Sequence, residues 1–389
     1  MSLFHRTPAL RWALPVVAAL VLTGGGAALH TISAAAQAGL PERSAAQLLV
    51  DVQNAKVKGL SGTLVQSADL GLPGLDALSS GGSGGNGSSD LTSLVSGSHT
   101  LRVWYAGPKQ QRLALLGSYG ESDVIRNGTD LWTYSSQKKA ATHLSLPDMK
   151  ESGDGTSDGT TPAAPSTMTP QQAAQAALDA ISPSTKISTA SNAEVAGRPA
   201  YDLVLQPRDT RSMVGSVQIA IDGETHIPTR VQVFAKGASQ PAFQVGFTSF
   251  DPTTPDPSAF TFNPPPDTKV TNKSLLDLGS SSSPMSMSPL AGATGSMQDA
   301  HAVGKGWTTV LVGSLPQGAL GDQSGSTDSA GPAGVQALLD TLPKVSGSWG
   351  SGRLLKGSLF SAVLTSDGRV AVGAVQPQML YDALGTQGQ

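Results

Sequence analysis

Apolar residues recur along the chain in two patterns, one helical and one strand-like. Helical spacing between Pro41 and Val57 predicts a first helix, and Thr169-Pro170 opens a second helix that Pro183 ends. The order of helix and then strands, twice over, predicts an α+β fold with one large antiparallel sheet that curls around something apolar. Period-two segments predict the strands Gly59–Gln66, Thr100–Tyr105, Gln111–Leu116, Asp123–Arg126, Thr129–Tyr134, Lys186–Val195, Ala200–Gln206, Gly215–Ile221, Thr229–Phe234 and Phe243–Phe250.

Turn signals add detail at two places in this pattern. Asn127-Gly128 lies between two strands and predicts a tight hairpin with a type I′ turn, in which both central residues have positive φ. After Phe260–Phe262, the run Pro264-Pro265-Pro266 is expected to stop the strand ladder, because proline has no N–H to donate.

Composition divides the chain into a main domain, a linker and a smaller C-terminal domain. The main domain is expected over residues 41–270, with flexible polar insertions at 71–98 and 150–168, and the linker over 279–298. Residues 299–389 are expected to form a small α+β domain. Its predicted elements are a strand, a short helix, a hairpin around Asp367-Gly368 and a closing helix, at Trp307–Val312, Ala333–Leu342, Leu354–Thr365 with Val370–Val375, and Gln376–Leu384.

The first 38 residues have the pattern of a secretory signal peptide. Arg6 and Arg11 form a basic start, Trp12–Leu22 is an apolar run of the right length, and small residues follow at Ala34–Ala38. The alternative is an uncleaved N-terminal anchor, but glycines interrupt it and a spanning helix needs about 20 apolar residues. The protein is therefore expected to be exported to the extracytoplasmic cell envelope, in a periplasm-like space or at the cell surface.

Charge and cysteine content exclude several classes of function. The chain has 25 basic and 28 acidic residues, and without Arg6 and Arg11 the basic count is 25 − 2 = 23. Nucleic-acid binding requires a basic stripe, so no nucleic-acid partner is expected. Since there is no cysteine, disulfides, thiol catalysis, thiolate metal sites and a lipid-modified N-terminal cysteine are excluded.

Candidate catalytic and metal motifs lack the context that their chemistry needs. Ser83 lies in a G-x-S-x-G match and Gly82–Gly87 matches G-x-G-x-x-G, but both fall in Gly/Ser repeats rather than between a strand and a helix. No motif supports a secreted hydrolase, and no catalytic residue, metal or cofactor is predicted. The histidines show no metal-ligand spacing and are interpreted as scattered surface residues: His5, His30, His99, His143, His226 and His301.

Three segments resemble the LolA-like lipoprotein-carrier family and its relative RseB/MucB. They are the first helix with Leu60-Ser61-Gly62-Thr63-Leu64-Val65, the hairpin from Asn127 to Tyr134, and the block Ala196–Leu205 with Ile221-Asp222 and Ile227–Val231. The resemblance spans about residues 41 to 266. It implies a curled, unclosed antiparallel barrel, with helices as a lid over an apolar concavity that accepts acyl chains. The additional C-terminal domain is similar to RseB rather than to LolA.

This resemblance and the alternation along the strands predict ligand-binding residues that line the concavity: Leu101, Val103, Trp132, Tyr134, Leu203 and Val231. For the two aromatic residues, ordinary sheet packing is the alternative. The predicted function is non-covalent binding of lipid or lipoprotein acyl chains, as a carrier or sensor and not as an enzyme. The alternative is an RseB-like regulatory module that binds a membrane-anchored partner of the anti-sigma-factor type.

Overall fold

The computed structural model describes residues 40–72, 97–117, 120–146, 170–274, 298–315, 339 and 341–386 of the chain. Two predicted segments lie entirely outside these residues, the leader and the insertion 150–168. Three more lie mostly outside them: the insertion 71–98, the linker 279–298 and the predicted helix at 333–342. The described helices are α1 Ala45–Asn54, α2 Pro170–Ile181 and α3 Pro377–Gly385. In the described part of the chain, no helix has the length and apolar character needed to cross a lipid bilayer.

Twelve strands of the described chain form one large sheet. The strands are β1 Leu60–Ala68, β2 Gly97–Tyr105, β3 Gln110–Gly117, β4 Gly120–Asn127, β5 Asp130–Ser135, β6 Ala140–Ser145, β7 Thr185–Val195, β8 Arg198–Pro207, β9 Val214–Asp222, β10 Pro228–Ala235, β11 Pro241–Asp251 and β12 Lys269–Ser274. Their order is β12-β6-β5-β4-β3-β2-β1-β11-β10-β9-β8-β7, so β12 and β7 are edges and the sheet is not closed. This confirms the predicted α+β class with a large open sheet.

Helix α1 packs on one face of this sheet. Ser44 and Gln47 form a capping box, in which Ser44 accepts from the Gln47 N–H and the Gln47 side chain accepts from the Ser44 N–H. Leu48 is fully buried, and Leu49 and Val52 complete the apolar stripe that meets the sheet. Helix α2 lies against α1. The two helices thus form the lid that the sequence predicts.

The face of the sheet that meets α1 is called the inner face. Direct cross-strand partners share a face, and Leu203, Ile219, Val231 and Val245 are successive partners across β8 to β11. All four belong to the buried core that contains Leu48. The core therefore lies between α1 and the β8–β11 half of the sheet.

Two details of the large sheet differ from the sequence prediction. Asn127 pairs with Asp130, so the hairpin turn consists of Gly128 and Thr129, and only Gly128 has a positive φ, of +64°. The predicted type I′ turn at Asn127-Gly128 is therefore wrong, because Asn127 extends β4 by pairing with Gln110. After the prolines the chain also returns as β12, which pairs in parallel with β6.

The described elements from Gln298 onward form a second, smaller sheet with one packed helix. Its strands are β13 Gln298–Val303, β14 Val310–Ser314, β15 Lys344–Gly347, β16 Gly350–Lys356, β17 Ser361–Thr365 and β18 Arg369–Gly373, in the order β13-β14-β18-β17-β16-β15. Leu380 and Leu384 of α3 pack on the sheet against Val312 and Val363. This confirms the smaller C-terminal α+β unit and its closing helix.

Two predicted strands of the smaller domain have different bounds. The predicted strand Leu354–Thr365 divides into β16 and β17, because Gly357 lies against Leu70 and a Cβ there would be 2.8 Å from the Leu70 carbonyl oxygen. Ser358 donates its backbone N–H to the same oxygen. The predicted strand Trp307–Val312 begins instead with a 3₁₀ turn, Gly306–Thr308, and β14 starts at Val310.

The two domains contact each other through backbone and side chains. Ser212 and Val375 form an isolated antiparallel bridge, and the Met213 N–H donates to the Ala374 carbonyl at 2.8 Å. The Trp307 indole donates to the Thr185 hydroxyl at 2.8 Å, and its ring packs on the core of the large sheet. The smaller domain is therefore docked on the end of the large sheet that contains β7 and β9.

Candidate functional site: the inner face of the large sheet

Four of the six predicted ligand-binding residues lie on the inner face. Leu203 and Val231 belong to the core beneath α1. Leu101 pairs with Leu64, which packs against that core, and Val103 lies two residues further along β2. Leu101, Leu203 and Val231 are buried, whereas Val103 is half-buried. These four residues therefore lie on one face of the large sheet.

Trp132 and Tyr134 lie on the opposite face, which we call the outer face. The Trp132 partners are Ile125 and His143, and the partner of Ile125 is Arg112. The Trp132 and His143 rings stack with centroids 4.3 Å apart. The six predicted residues therefore do not form a single surface. Alternation correctly places Trp132 and Tyr134 together and Leu131 and Thr133 on the other side, but it does not say which side meets the helices.

The aromatic residues of the outer face pack under the segment that follows β11. The Phe262 ring lies 5.3 Å from the ring centroids of both Trp132 and Tyr134. Phe260, at the end of the 3₁₀ turn Pro257–Phe260, is 1% exposed. This packing is the ordinary sheet role that the sequence leaves open for the two aromatic residues.

A polar network around Arg112 lies beside these aromatic residues. Arg112 donates to Asp123 at 2.9 Å and to Glu121 at 3.3 Å, and it lies 5.1 Å over the Trp104 ring. Burial, and then the hydrogen bond and charge of the neighbouring Asp123, raise the pKa of Glu121 above its ordinary value. Arg112 thus joins two carboxylates on the outer face, and the raised pKa of Glu121 means that its charged form is less favourable there than in the unfolded chain.

Gln66 is a polar residue of the inner face that the sequence prediction omits. It pairs with Val245 on one side and with His99 on the other, and it is completely buried. Neither its amide nitrogen nor its amide oxygen has a hydrogen-bond partner. An unpaired buried polar group costs about 1 to 3 kcal/mol, so a ligand that hydrogen-bonds this amide would recover part of that free energy.

The position of Gln66 carries a signal in the sequence. In the predicted strand Gly59–Gln66, period-two alternation places Gln66 on the same face as Leu64. A polar residue in an otherwise apolar face marks a functional candidate, because burial of an amide is unfavourable without a partner. The sequence alone places Gln66 on this face, whereas only the structure shows that its amide has no hydrogen-bond partner.

The described residues contain no arrangement suited to metal chemistry. No group of three or more His, Cys, Asp or Glu side chains in this part of the chain is placed to hold a metal ion. The serine of the G-x-S-x-G match, Ser83, lies outside the described residues. The described part of the inner face offers apolar area and the unpaired amide of Gln66.

Together the open sheet, the helices on its inner face and the docked second sheet define a two-domain α+β protein. No protein-family model matches the chain, and no curated protein gives a significant match. Solved structures do match in fold. A structure of MucB in complex with MucA(peri) is 13% identical, with a TM-score of 0.41, over 88% of this chain and 97% of that one.

Two further structures extend this comparison. The Pseudomonas aeruginosa MucA/MucB complex is 13% identical, with a TM-score of 0.38, over 87% of this chain and 96% of the other. A LolA superfamily protein from Nitrosomonas europaea is 11% identical, with a TM-score of 0.20, over 57% of this chain and 99% of its own. The chain thus has matches to MucB and to a LolA superfamily protein, each at low identity and a TM-score below 0.5.

Proposed function

We propose that this protein binds lipid or lipoprotein acyl chains non-covalently on the inner face of its large sheet, as a carrier or sensor in the cell envelope. The observation that carries the proposal is an apolar inner face beneath a short helical lid, with the unpaired amide of Gln66 within it. Leu101, Val103, Leu203 and Val231 are the proposed apolar contacts. An ester or amide carbonyl near the start of the acyl chain would accept from the Gln66 amide nitrogen.

The magnitude of apolar burial suits reversible binding. Each buried methylene contributes about 0.8 kcal/mol, so about fifteen methylenes contribute about 12 kcal/mol, and a cost of about 4 kcal/mol for the lost freedom of the ligand leaves about 8 kcal/mol. A net value near 8 kcal/mol corresponds to a dissociation constant of about 1 μM. Binding of this strength allows both loading and release, which a carrier or sensor needs.

The lid provides a route for the acyl chain to reach the inner face. Helix α1 has ten residues, and its described contacts with the sheet are made by a few apolar side chains. An isolated helix of this length is marginal in water, so its position depends on that packing. An acyl chain that replaces part of this packing would therefore displace α1 at a modest free-energy cost.

Native mass spectrometry of gently purified protein tests this function. We expect a population whose mass exceeds that of the polypeptide by the mass of one lipid, and we expect gentle activation to remove the excess. Extraction with organic solvent should then yield a lipid with at least one acyl chain. Protein that carries no lipid, and that acquires none from added vesicles, would contradict the proposal.

A second candidate function is regulation through a membrane-anchored partner of the anti-sigma-factor type. The observation that favours it is the docked smaller domain, held by the Ser212–Val375 bridge and by Trp307, since a simple carrier needs no second domain. Isolation of the full chain from envelope extracts distinguishes the two functions. A stoichiometric membrane protein whose binding changes when lipid is added supports the regulator, whereas lipid without protein supports the carrier.

A further inference from the structure

Three apolar side chains of the smaller domain pack on the core of the larger one. Trp307, Leu359 and Ala374 contact the buried cluster that contains Leu203 and Val231 beneath α1. The smaller domain has a separate core between its sheet and α3, which is formed by other described residues. The three side chains are therefore directed at the inner face of the large sheet, where acyl binding is proposed.

Leu359 lies in the connection between β16 and β17, residues 357–360, which we call the plug loop. The backbone N–H of Ser358 in this loop donates to the Leu70 carbonyl oxygen at 2.7 Å, just beyond the end of β1. Phe243 of β11 pairs with the last residue of β1 and packs against the same core as Leu359. The plug loop is thus held at the end of the inner face where β1 ends and β11 begins.

The plug loop is also close to the amide that is proposed to bind the ligand. Gln66 is four residues before Leu70, so at most about 14 Å of extended chain separates them. Val245, the partner of Gln66 on β11, belongs to the core on which Leu359 packs. An acyl chain whose carbonyl group binds Gln66 would therefore extend over a core that Leu359 already covers in part.

The contact between the two domains suits reversible opening. Its polar part includes the hydrogen bond from the Met213 N–H to the Ala374 carbonyl and the one from the Trp307 indole to the Thr185 hydroxyl, both at 2.8 Å. Domains of one chain commonly move relative to each other unless their interface is large and hydrophobic. Because Trp307, Leu359 and Ala374 are half-buried, an acyl chain that replaces them would keep the core covered.

From these contacts we propose that the smaller domain is an autoinhibitory plug. Leu359 and Trp307 occupy part of the volume that an acyl chain takes up, so ligand binding releases the smaller domain from the large sheet. This inference rests on the proposed acyl binding and adds a conformational response to it. Since ligand binding and domain docking exclude each other, each weakens the other by the same factor.

A reversible disulfide tests this exclusion, because the chain has no cysteine of its own. Ser212 and Val375 are partners in the isolated bridge between the domains, where Cα atoms lie about 4.5 to 5.5 Å apart, within the range of a disulfide. Oxidised Ser212→Cys/Val375→Cys should bind an environment-sensitive fluorescent fatty acid at least about tenfold more weakly than the wild type. Reduction should restore the affinity. Equal affinity before and after reduction would overturn the proposal.

The matched control is a disulfide inside the smaller domain, Ser351→Cys/Ser366→Cys. The hydroxyl oxygens of these two exposed serines are 2.7 Å apart, so this crosslink leaves docking free and should not change the affinity. The reverse effect uses the first pair. Saturating fatty acid should slow oxidation of Ser212→Cys/Val375→Cys at least about tenfold and leave the control pair unaffected. Oxidation of the first pair at an unchanged rate would show that loaded protein stays docked, which refutes the plug.

Leu359→Ala tests the plug without a crosslink. The smaller side chain blocks less of the inner face, so the fatty acid should bind at least about threefold more tightly. Leu364→Ala removes the same side chain from the face of β17 opposite Val363, which packs against α3, and should bind like the wild type. Weaker or unchanged binding in Leu359→Ala means that Leu359 does not block the ligand, and the inference then fails.

The titrations separate failure of this inference from failure of the proposed function. Displaceable binding of equal strength in the oxidised and reduced forms of Ser212→Cys/Val375→Cys leaves acyl binding in place and removes the plug. No displaceable binding in any form, the wild type included, removes both. Weak binding when oxidised and wild-type binding when reduced is the result that we expect.

Discussion

Asp222 shows how single residues hold this fold together. The side chain is 1% exposed and accepts from Arg198 through two hydrogen bonds, at 2.6 and 3.0 Å. Burial by itself raises the pKa of Asp222, but the hydrogen bonds from Arg198 and Thr225 outweigh it, so the pKa lies below its ordinary value of 3.8. The folded state therefore favours the charged carboxylate.

Asp222→Ala is expected to lower the free energy of unfolding by about 3 kcal/mol, since Arg198 and the β9–β10 loop lose their partner. The wild-type contribution is present above the pKa of the unfolded chain, and it disappears as the pH falls through the lowered folded-state pKa. Urea titrations of both proteins at several pH values measure this. A difference between them that does not shrink at acidic pH would contradict the assignment.

Asp209 provides the contrast. The hydrogen bonds from Arg211 lower the pKa of Asp209 to about 2, but this pair is on the surface. Surface ion pairs are screened by solvent and add little to stability. Asp209→Ala should therefore leave the urea midpoint nearly unchanged, which makes it the control for Asp222→Ala.

Gln66→Leu should increase stability by about 1 kcal/mol and reduce the affinity for ester-linked lipid, because the leucine has no unpaired buried amide. The matched control is Gln232→Leu. Gln232 donates to Gln244 on the outer face, so its loss should not improve stability or alter lipid binding. Thermal unfolding and a lipid-binding titration are the measurements. A Gln66→Leu protein with unchanged affinity would remove Gln66 from the proposed site.

At the scale of elements, α1 depends on its capping box and on its apolar stripe. Ser44→Ala removes the acceptor for the Gln47 N–H and should cost about 1 kcal/mol. Because α1 is the proposed lid, the same change should speed the release of bound lipid. Stopped-flow displacement and urea unfolding measure the two effects. Glu42→Ala, just outside the helix, serves as the control, and equal release rates in all three proteins would argue against a moving lid.

Element prediction from this sequence succeeds where the apolar pattern is strong. Strands β8 to β10 follow the predicted segments because the buried residues Leu203, Ile219 and Val231 each have a polar neighbour along the strand, at Asp202, Gln218 and Arg230. Strand β6 has few large apolar residues, and Lys269–Ser274 of β12 is polar and comes after three prolines. Their pairing depends on the neighbouring strands, which local periodicity does not contain.

The same limit explains the placement of the predicted site. Alternation defines two faces for each strand, but the register between strands decides which face joins the core. Leu101 and Trp132 are both large and apolar, and they lie on opposite faces once β2 to β5 are paired. The pairing of strands distant in sequence, and the cover by Phe260 and Phe262, follow from tertiary packing.

For the whole molecule, removal of residues 79–90 should leave stability nearly unchanged. The strands on either side pair with each other through Ala68 and Gly97, so 28 residues connect paired positions and 16 would remain. The loop-closure free energy changes by only about 0.5 kcal/mol for this shortening. Thermal unfolding should give a melting temperature within a few degrees of the wild type. A loss of soluble protein would show that this segment contributes to folding.

The central claim is that the inner face binds acyl chains, and a matched pair of variants on β2 tests it most directly. Val103 faces inward and is half-buried, whereas its neighbour Arg102 is exposed on the outer face. A tryptophan at either position places the same side chain on opposite sides of the strand. Circular dichroism verifies that each variant is folded, and the nearly isosteric Val103→Thr replaces Val103→Trp if the larger residue prevents folding.

The measurement is titration with an environment-sensitive fluorescent fatty acid, followed by competition with unlabelled lipid. The account predicts saturable, displaceable binding to the wild type and to Arg102→Trp, and at least about tenfold weaker binding to Val103→Trp. For Val103→Thr, which loses one apolar contact, it predicts about threefold weaker binding. Equal affinity in the inward and outward variants, or no displaceable binding to the wild type, would contradict it.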